Sequence, residues 1–262
     1  MRSLVGAIPL IAVEVLDSGA GRQAPGVQKR LKWFLENRRD LAKQLSFMEK
    51  GREVRMLLAL PTRERLVRVL HYLLDENEFL SPFGLRSISR VHRDKPYVLH
   101  VNGEEFRVDY DPAESTTALF GGNSNWRGPI WFPINFLIVE ALERYHHFYG
   151  DSLKVRLPDR LRKRDDASRR SPTSCRHASR RSSLADRSGR RPCHADDARY
   201  ADDPHWKDLL LFYEYFHGET GRGVGASHQT GWTATVAKFV EDLAKSRESG
   251  YSFALRHRIV TM

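Results

Sequence analysis

One stretch, residues 156–191, limits what this chain can fold into. It holds twelve Arg, one Lys and four Asp, with no Glu and no Phe, Tyr or Trp. It carries +9 of the formal net charge of +10, and all 27 aromatic residues lie outside it. Its composition permits a segment that stays solvated and unordered. The chain therefore reads as a near-neutral, aromatic-rich protein interrupted by one basic segment. Three readings of that segment compete: a solvated linker, a phosphate-binding arm, or a stretch that is not the sequence that evolved there.

Outside it there is apolar material for one large core. Hydrophobic residues make up 40% of the 262-residue chain, which excludes a disordered, collagen-like or disulfide-scaffold protein. Cys175 and Cys193 give neither a metal spacing nor a disulfide framework. No run of about 18 apolar residues predicts a membrane span. Residues 1–16, MRSLVGAIPLIAVEVL, resemble a secretory leader, but Glu14 breaks the apolar run and no clean cleavage pattern follows. We expect a buried helix there, kinked or started at Pro9, and a cytoplasmic chain.

The period of the apolar residues predicts the remaining elements. Val27, Leu31, Phe34, Leu35, Leu41, Leu45 and Phe47 suggest a helix over 25–47. Pro61 opens an amphipathic helix over 61–74. Tyr97, Leu99 and Val101, then Phe106, Val108 and Tyr110, alternate around Asn102-Gly103, a hairpin over 97–110. A long helix over 129–149 ends at Gly150. Asp203-Pro204 reads as a helix start for HWKDLLLFYEYF. A last amphipathic helix covers 232–245, and a loose tail follows from Arg247.

Two stretches could carry chemistry. In FGGNSNWRGPIWFPIN, residues 120–135, glycines permit tight turns. Trp126 and Trp131 offer flat apolar faces, and Asn125 and Arg127 offer planar donors. Sugars have apolar faces edged by hydroxyls, so this mixture suits a carbohydrate subsite. It equally suits a packed loop with the tryptophans in the core and Arg127 paired with a carboxylate. In the second stretch, residues 202–232, Glu214 stands between two tyrosines, where desolvation favours a proton-accepting role. The alternative is a half-exposed helix carboxylate paired with Lys or Arg. His228, Gln229 and Trp232 follow in a Gly-rich loop. No phosphate-loop ending, serine elbow or HExxH is present, and His146-His147 reads as a surface pair.

Across these strings the chain resembles glycoside hydrolase family 63, the processing α-glucosidases and their bacterial mannosylglycerate-hydrolase-like branch. RSLVGAIPLIAVEVL, ENEFLSPFGLRSISR, VDYDPAES, LFGGNSNWRGPIWFPINFLIVEAL and DPHWKDLLLFYEYFHGETGRGVGASHQTGWTATVAK carry the likeness in family order. The resemblance implies a mainly α chain, part of an (α/α)6 toroid with a β-hairpin insertion near 97–110. It implies inverting hydrolysis by a carboxylic acid and a carboxylate about 6.5–9.5 Å apart. Glu214 matches the general base. Trp126, Arg127, Trp131 and Asn125 match the sugar subsite, and His228, Gln229 and Trp232 lie close to the base. The chemistry requires no metal or organic cofactor.

Two departures follow from the same resemblance. The family's general acid is an Asp upstream of the point matched by Met1, so we expect the C-terminal part of a longer enzyme, poorly active alone or completed by an upstream chain. Residues 157–183 do not match, although both flanks do. Codons can be chosen for Leu157–Ser168 that, read one base later, give CPTGSGNEMTL, the string relatives carry there. Ala178–Ser183 can be re-read as the end of an apolar helix, LASIF. This suggests a compensated frameshift from near Arg156 to near Leu184.

The organisation expected is residues 1–155 as the first part of the catalytic domain, 156–191 as the basic segment, 192–246 as the domain's continuation, and 247–262 as a tail. The expected function is hydrolysis of α-linked glucosyl-type glycosides, with a carbohydrate substrate as partner. A non-catalytic carbohydrate-binding protein is the second reading. A nucleic-acid binder through 156–191 is the third, disfavoured because the rest is near neutral.

Overall fold

The computed structural model describes residues 1–16, 25–42, 47–50, 56–118, 126–153, 155–156, 169–170, 175 and 178–248. Most of residues 157–183 and the chain from 249 onward lie outside the described residues. Helix dominates, with several small sheets. In chain order the strands and α-helices are β1 (Val13–Leu16), α1 (Pro25–Asn37), α2 (Arg39–Ala42), β2 (Phe47–Lys50), β3 (Met56–Ala59), α3 (Arg63–Leu73), β4 (Leu80–Ser81), β5 (Gly84–Leu85), β6 (Tyr97–Val101), β7 (Glu104–Val108), α4 (Phe132–Tyr149), β8 (Val155–Arg156), β9 (Arg169–Arg170), α5 (Arg199–Asp202), β10 (Tyr215–Phe216), β11 (Gly223–Val224), α6 (Thr230–Thr233) and α7 (Val236–Glu248). Among the described residues, no helix is long and apolar enough to cross a membrane.

The core forms around α4. Ile138, Ala141, Leu142, Tyr145 and Phe148 recur at three- and four-residue spacing and are buried, the stripe a one-sided helix needs. Leu66, Leu70 and Leu73 of α3 join the same core, with Phe216, Val236 and Phe239 from the C-terminal part. Thr62 caps α3, its hydroxyl accepting from Arg65 N at 3.2 Å. Gly150 ends α4 at φ 56°. The β6–β7 hairpin turns through Asn102 (φ 51°) and Gly103 (φ 84°), the positive-φ pair that matches the twist of its strands.

Three expected helices are corrected. Residues 4–11 form a 3₁₀ helix that buries Leu4, Ala7 and Leu10 at threefold spacing, with Pro9 inside it. Val13–Leu16 then leaves as a strand paired with Met56–Ala59. The helix expected over 25–47 stops at Asn37, resumes for one turn over Arg39–Ala42, and Phe47 begins β2. Pairing of β3 with both β1 and β2 outweighs the local helical period. Asp203 does cap a turn, its carboxylate accepting from His205 N at 2.7 Å. No helix follows over Leu209–Phe216, because that stretch is hydrogen-bonded to residues 226–229 and to Ile130.

Those long-range bonds sew distant parts of the chain together. Ser3 pairs with Ile88, Arg86 with Ile130, and Ile130 with Phe216, each as a single antiparallel bridge. Asn135, fully buried on α4, adds a side-chain clamp. It accepts from Leu85 N at 2.6 Å and donates to Leu85 O and Trp131 O at 3.0 Å each. The strand carrying Glu214 is therefore held by segments more than 80 residues upstream.

Candidate active site

Glu214 sits at a bend entering β10 rather than on a helix, and it is half-buried. Its backbone N donates to Ala226 O at 2.8 Å, and its carboxylate Oε2 accepts from Ala226 N at 3.4 Å. Among the described residues no Lys or Arg pairs with it, so the ion-paired alternative finds no support there.

On one edge of this strand, Ile130 and Phe216 exchange backbone bonds at 2.8 and 3.0 Å. Trp131 follows Ile130 directly. On the other edge, Gln229 N donates to Phe212 O at 2.7 Å, and Gln229 begins the turn that presents Trp232. The indoles of Trp126 and Trp131 meet edge-on with centroids 5.0 Å apart, and those of Trp131 and Trp232 at 5.8 Å. The structure thus brings together three of the tryptophans singled out from sequence. The Nε1 groups of Trp131 and Trp232 are buried and without hydrogen-bond partners among the described residues.

The other sequence candidates are placed differently. Arg127 is 2% exposed. Its Nη1 donates to Ser115 Oγ at 3.0 Å and Thr117 Oγ1 at 2.7 Å, and its Nη2 lies 3.7 Å from Asp111 Oδ2. It braces the 111–117 loop, matching the carboxylate-paired alternative stated above. His228 is exposed, and its backbone pairs in parallel with Phe212. Asn125 lies outside the described residues.

Residues 29–233 match the mannosylglycerate hydrolase MGH1-like glycoside hydrolase domain. The chain belongs to that family. It is 45% identical over 254 residues to the uncharacterized protein YMR196W of Saccharomyces cerevisiae, covering 94% of this chain and 23% of that protein. It is 24% identical over 178 residues to a probable mannosyl-oligosaccharide glucosidase of Schizosaccharomyces pombe, and 25% over 177 residues to the mannosyl-oligosaccharide glucosidase of S. cerevisiae. Those alignments cover 68% and 67% of this chain and 15% of each glucosidase. The chain thus spans under a quarter of the length of these curated relatives.

Sequence reasoning missed a second charged centre in this glycoside hydrolase domain. Glu219, at the turn between β10 and β11, accepts from Tyr110 Oη at 2.6 Å and from both Nε and Nη2 of Arg86 at 3.2 Å. Arg93 and Arg90 approach the same carboxylate at 3.3 and 3.7 Å. Burial pushes its carboxyl up, but the Tyr110 hydroxyl and the arginines hold it below the usual range. No apolar period marks such a pairing, because its partners lie 109 and 133 positions away. Among the described residues no cluster of His, Cys, Asp or Glu is placed to hold a metal ion.

Proposed function

We propose that this chain supplies the base-bearing side of an inverting glycoside hydrolase acting on α-linked glucosyl-type glycosides, within a larger (α/α)6 toroid. The observation that supports this reading is the double-edged support of the Glu214 strand. Its edges are bonded to the segments that present Trp131 and Trp232, so a carboxylate and an aromatic wall share one scaffold.

In this reading Glu214 takes a proton from water as the water attacks the anomeric carbon, and the tryptophans pack against the sugar ring. Arg127 acts by fixing the loop beneath Trp126. A separate carboxylic acid, outside this chain, protonates the leaving oxygen, a contribution of roughly 10²–10⁴-fold.

The test uses an aryl α-glucoside with a nitrophenolate leaving group, which departs without protonation and so reports the base step alone. Turnover by the chain should give the β-anomer of glucose by proton NMR and fall by at least about 10²-fold in Glu214→Gln. Activity that survives the substitution removes Glu214 as base. Sugar binding with no turnover in either protein returns the non-catalytic reading.

A further inference from the structure

The backbone around Glu214 is irregular in a way that bears on the carboxylate itself. His217 N donates to Arg222 O at 2.7 Å, and Glu214 N donates to Ala226 O at 2.8 Å. Both bonds cross to the same returning segment from residues three apart. In a regular strand the N–H groups facing one neighbour are two apart, so the ladder slips between them. Tyr215 pairs with Val224 and Phe216 with Gly223, which would set Gly225 opposite Glu214. Instead Gly225 and Ala226 together oppose Glu214. This is a β-bulge whose first residue, Gly225, has φ +74°, the left-handed conformation that such a bulge assigns to glycine.

Two consequences meet at one oxygen. The slip turns the Ala226 N–H toward the carboxylate, where it donates to Oε2 at 3.4 Å. The missing Cβ at Gly225 is also what leaves room for that oxygen: a Cβ there would lie 2.6 Å from Oε2, 3.0 Å from Glu214 Cβ and 3.1 Å from Tyr215 Cε1. Two of those three neighbours belong to Glu214. Behind this, Gly223 lies flat against the Tyr213 ring, leaving no room for a side chain. Tyr213 also makes edge contacts with Phe216 and His194, so the residue before Glu214 is wedged as well.

We propose that Gly225 is a positioning residue for the base: its bulge docks Glu214 Oε2 on the Ala226 N–H and leaves Oε1 as the oxygen that takes the proton from water. This rests on the reading of Glu214 as the base. Side-chain freedom is the obstacle the bulge removes, since a glutamate with three rotatable bonds otherwise points its carboxylate in many directions. A misplacement of about 1 Å at such a group costs on the order of 10²-fold in rate.

The experiment follows the Ala226 backbone amide by two-dimensional ¹⁵N–¹H NMR through an acid titration. In the unaltered chain this amide should shift as the docked carboxylate takes up its proton, and Glu214→Gln should abolish the shift. Gly225→Ala should abolish it too. Gly225→Asn separates the two causes, because Asn tolerates positive φ but carries a Cβ. It should also lose the shift, while the amides of Tyr145 and Phe239 in the core stay where they were. Turnover of the aryl α-glucoside should fall about 10²-fold in kcat with KM within twofold.

An Ala226 amide that still titrates in both Gly225 variants overturns the proposal, as does one that titrates unchanged in Glu214→Gln. Turnover that survives Glu214→Gln while the amide behaves as expected overturns the base reading and leaves the docking in place.

Discussion

Arg86 and Glu219 form a bidentate ion pair, Nε and Nη2 each 3.2 Å from a carboxylate oxygen, between residues 133 positions apart. Arg86 is 1% exposed, and its Nη1 is occupied by Glu76 O at 3.2 Å and Leu80 O at 2.7 Å. Every donor group of this guanidinium has a protein acceptor, so the pair joins the 76–86 segment to the β10–β11 turn rather than waiting for a ligand.

Glu219→Ala should therefore cost about 3–5 kcal/mol, since it leaves a buried cation without its partner. Urea unfolding with an unchanged m-value measures it. The carboxyl is held below its ordinary value in the fold, so the pair's contribution is present at neutral pH and lost as pH falls through the folded value. Acid unfolding of Glu219→Gln should consequently show a shallower loss of stability below about pH 4.5.

Two histidines contribute with the same sign, in a higher pH window. His194 is stacked on Tyr200, ring centroids 3.9 Å apart, and burial pulls its pKa below the ordinary 6.5. Burial, then Arg222, does the same to His217. The fold favours the neutral rings, so the unfolded chain binds more protons as pH drops below about 6.5, and stability falls in that window. Melting temperatures between pH 7 and 5 should decline less steeply in His194→Gln and in His217→Gln. An unchanged slope in both would remove these residues as the cause.

Arg127 makes its hydrogen bonds inside the protein. Arg127→Lys keeps the charge but cannot span Ser115, Thr117 and Asp111 with one ammonium. It should destabilise the chain by about 1–3 kcal/mol through unmade buried bonds. It should also speed proteolysis within residues 111–118 more than elsewhere, which limited digestion and mass spectrometry would map. A direct sugar ligand would instead weaken binding with no change in digestion.

Ser182 is 1% exposed, and its hydroxyl has no partner among the described residues. It lies where the shifted reading of Ala178–Ser183 ends an apolar helix. Ser182→Ala should stabilise the chain by roughly 1 kcal/mol by removing a buried, unsatisfied hydroxyl. Sequencing the coding DNA across 156–184 should show CPTGSG in the neighbouring frame. Its absence ends the frameshift proposal.

Sequence patterns revealed those parts of the fold whose cause is local. Pro61 marks the approach to α3, which begins two residues later, Asn102-Gly103 turns the hairpin, and Gly150 stops α4. The β1–β3–β2 sheet and the extended path of 209–216 were hidden, because partners far along the chain decide them. The same holds at the site. The residue types at Trp126, Trp131, Trp232 and Glu214 were visible as candidates. The burial of Arg127, the Asn135 clamp and the Arg86–Glu219 pair depend on contacts that no local period encodes.

The line of single bridges from Ser3 to Ile88, Arg86 to Ile130 and Ile130 to Phe216 has a consequence in time. Contacts between such distant residues form slowly, since each closes a long loop before it is rewarded. During synthesis the N-terminal segment and α4 are made long before residues 212–229, and the strand of Glu214 can dock only on the edge they have already built. The Glu214 carboxylate is therefore set only after that edge exists, and a lesion at the first few residues would reach it without touching it.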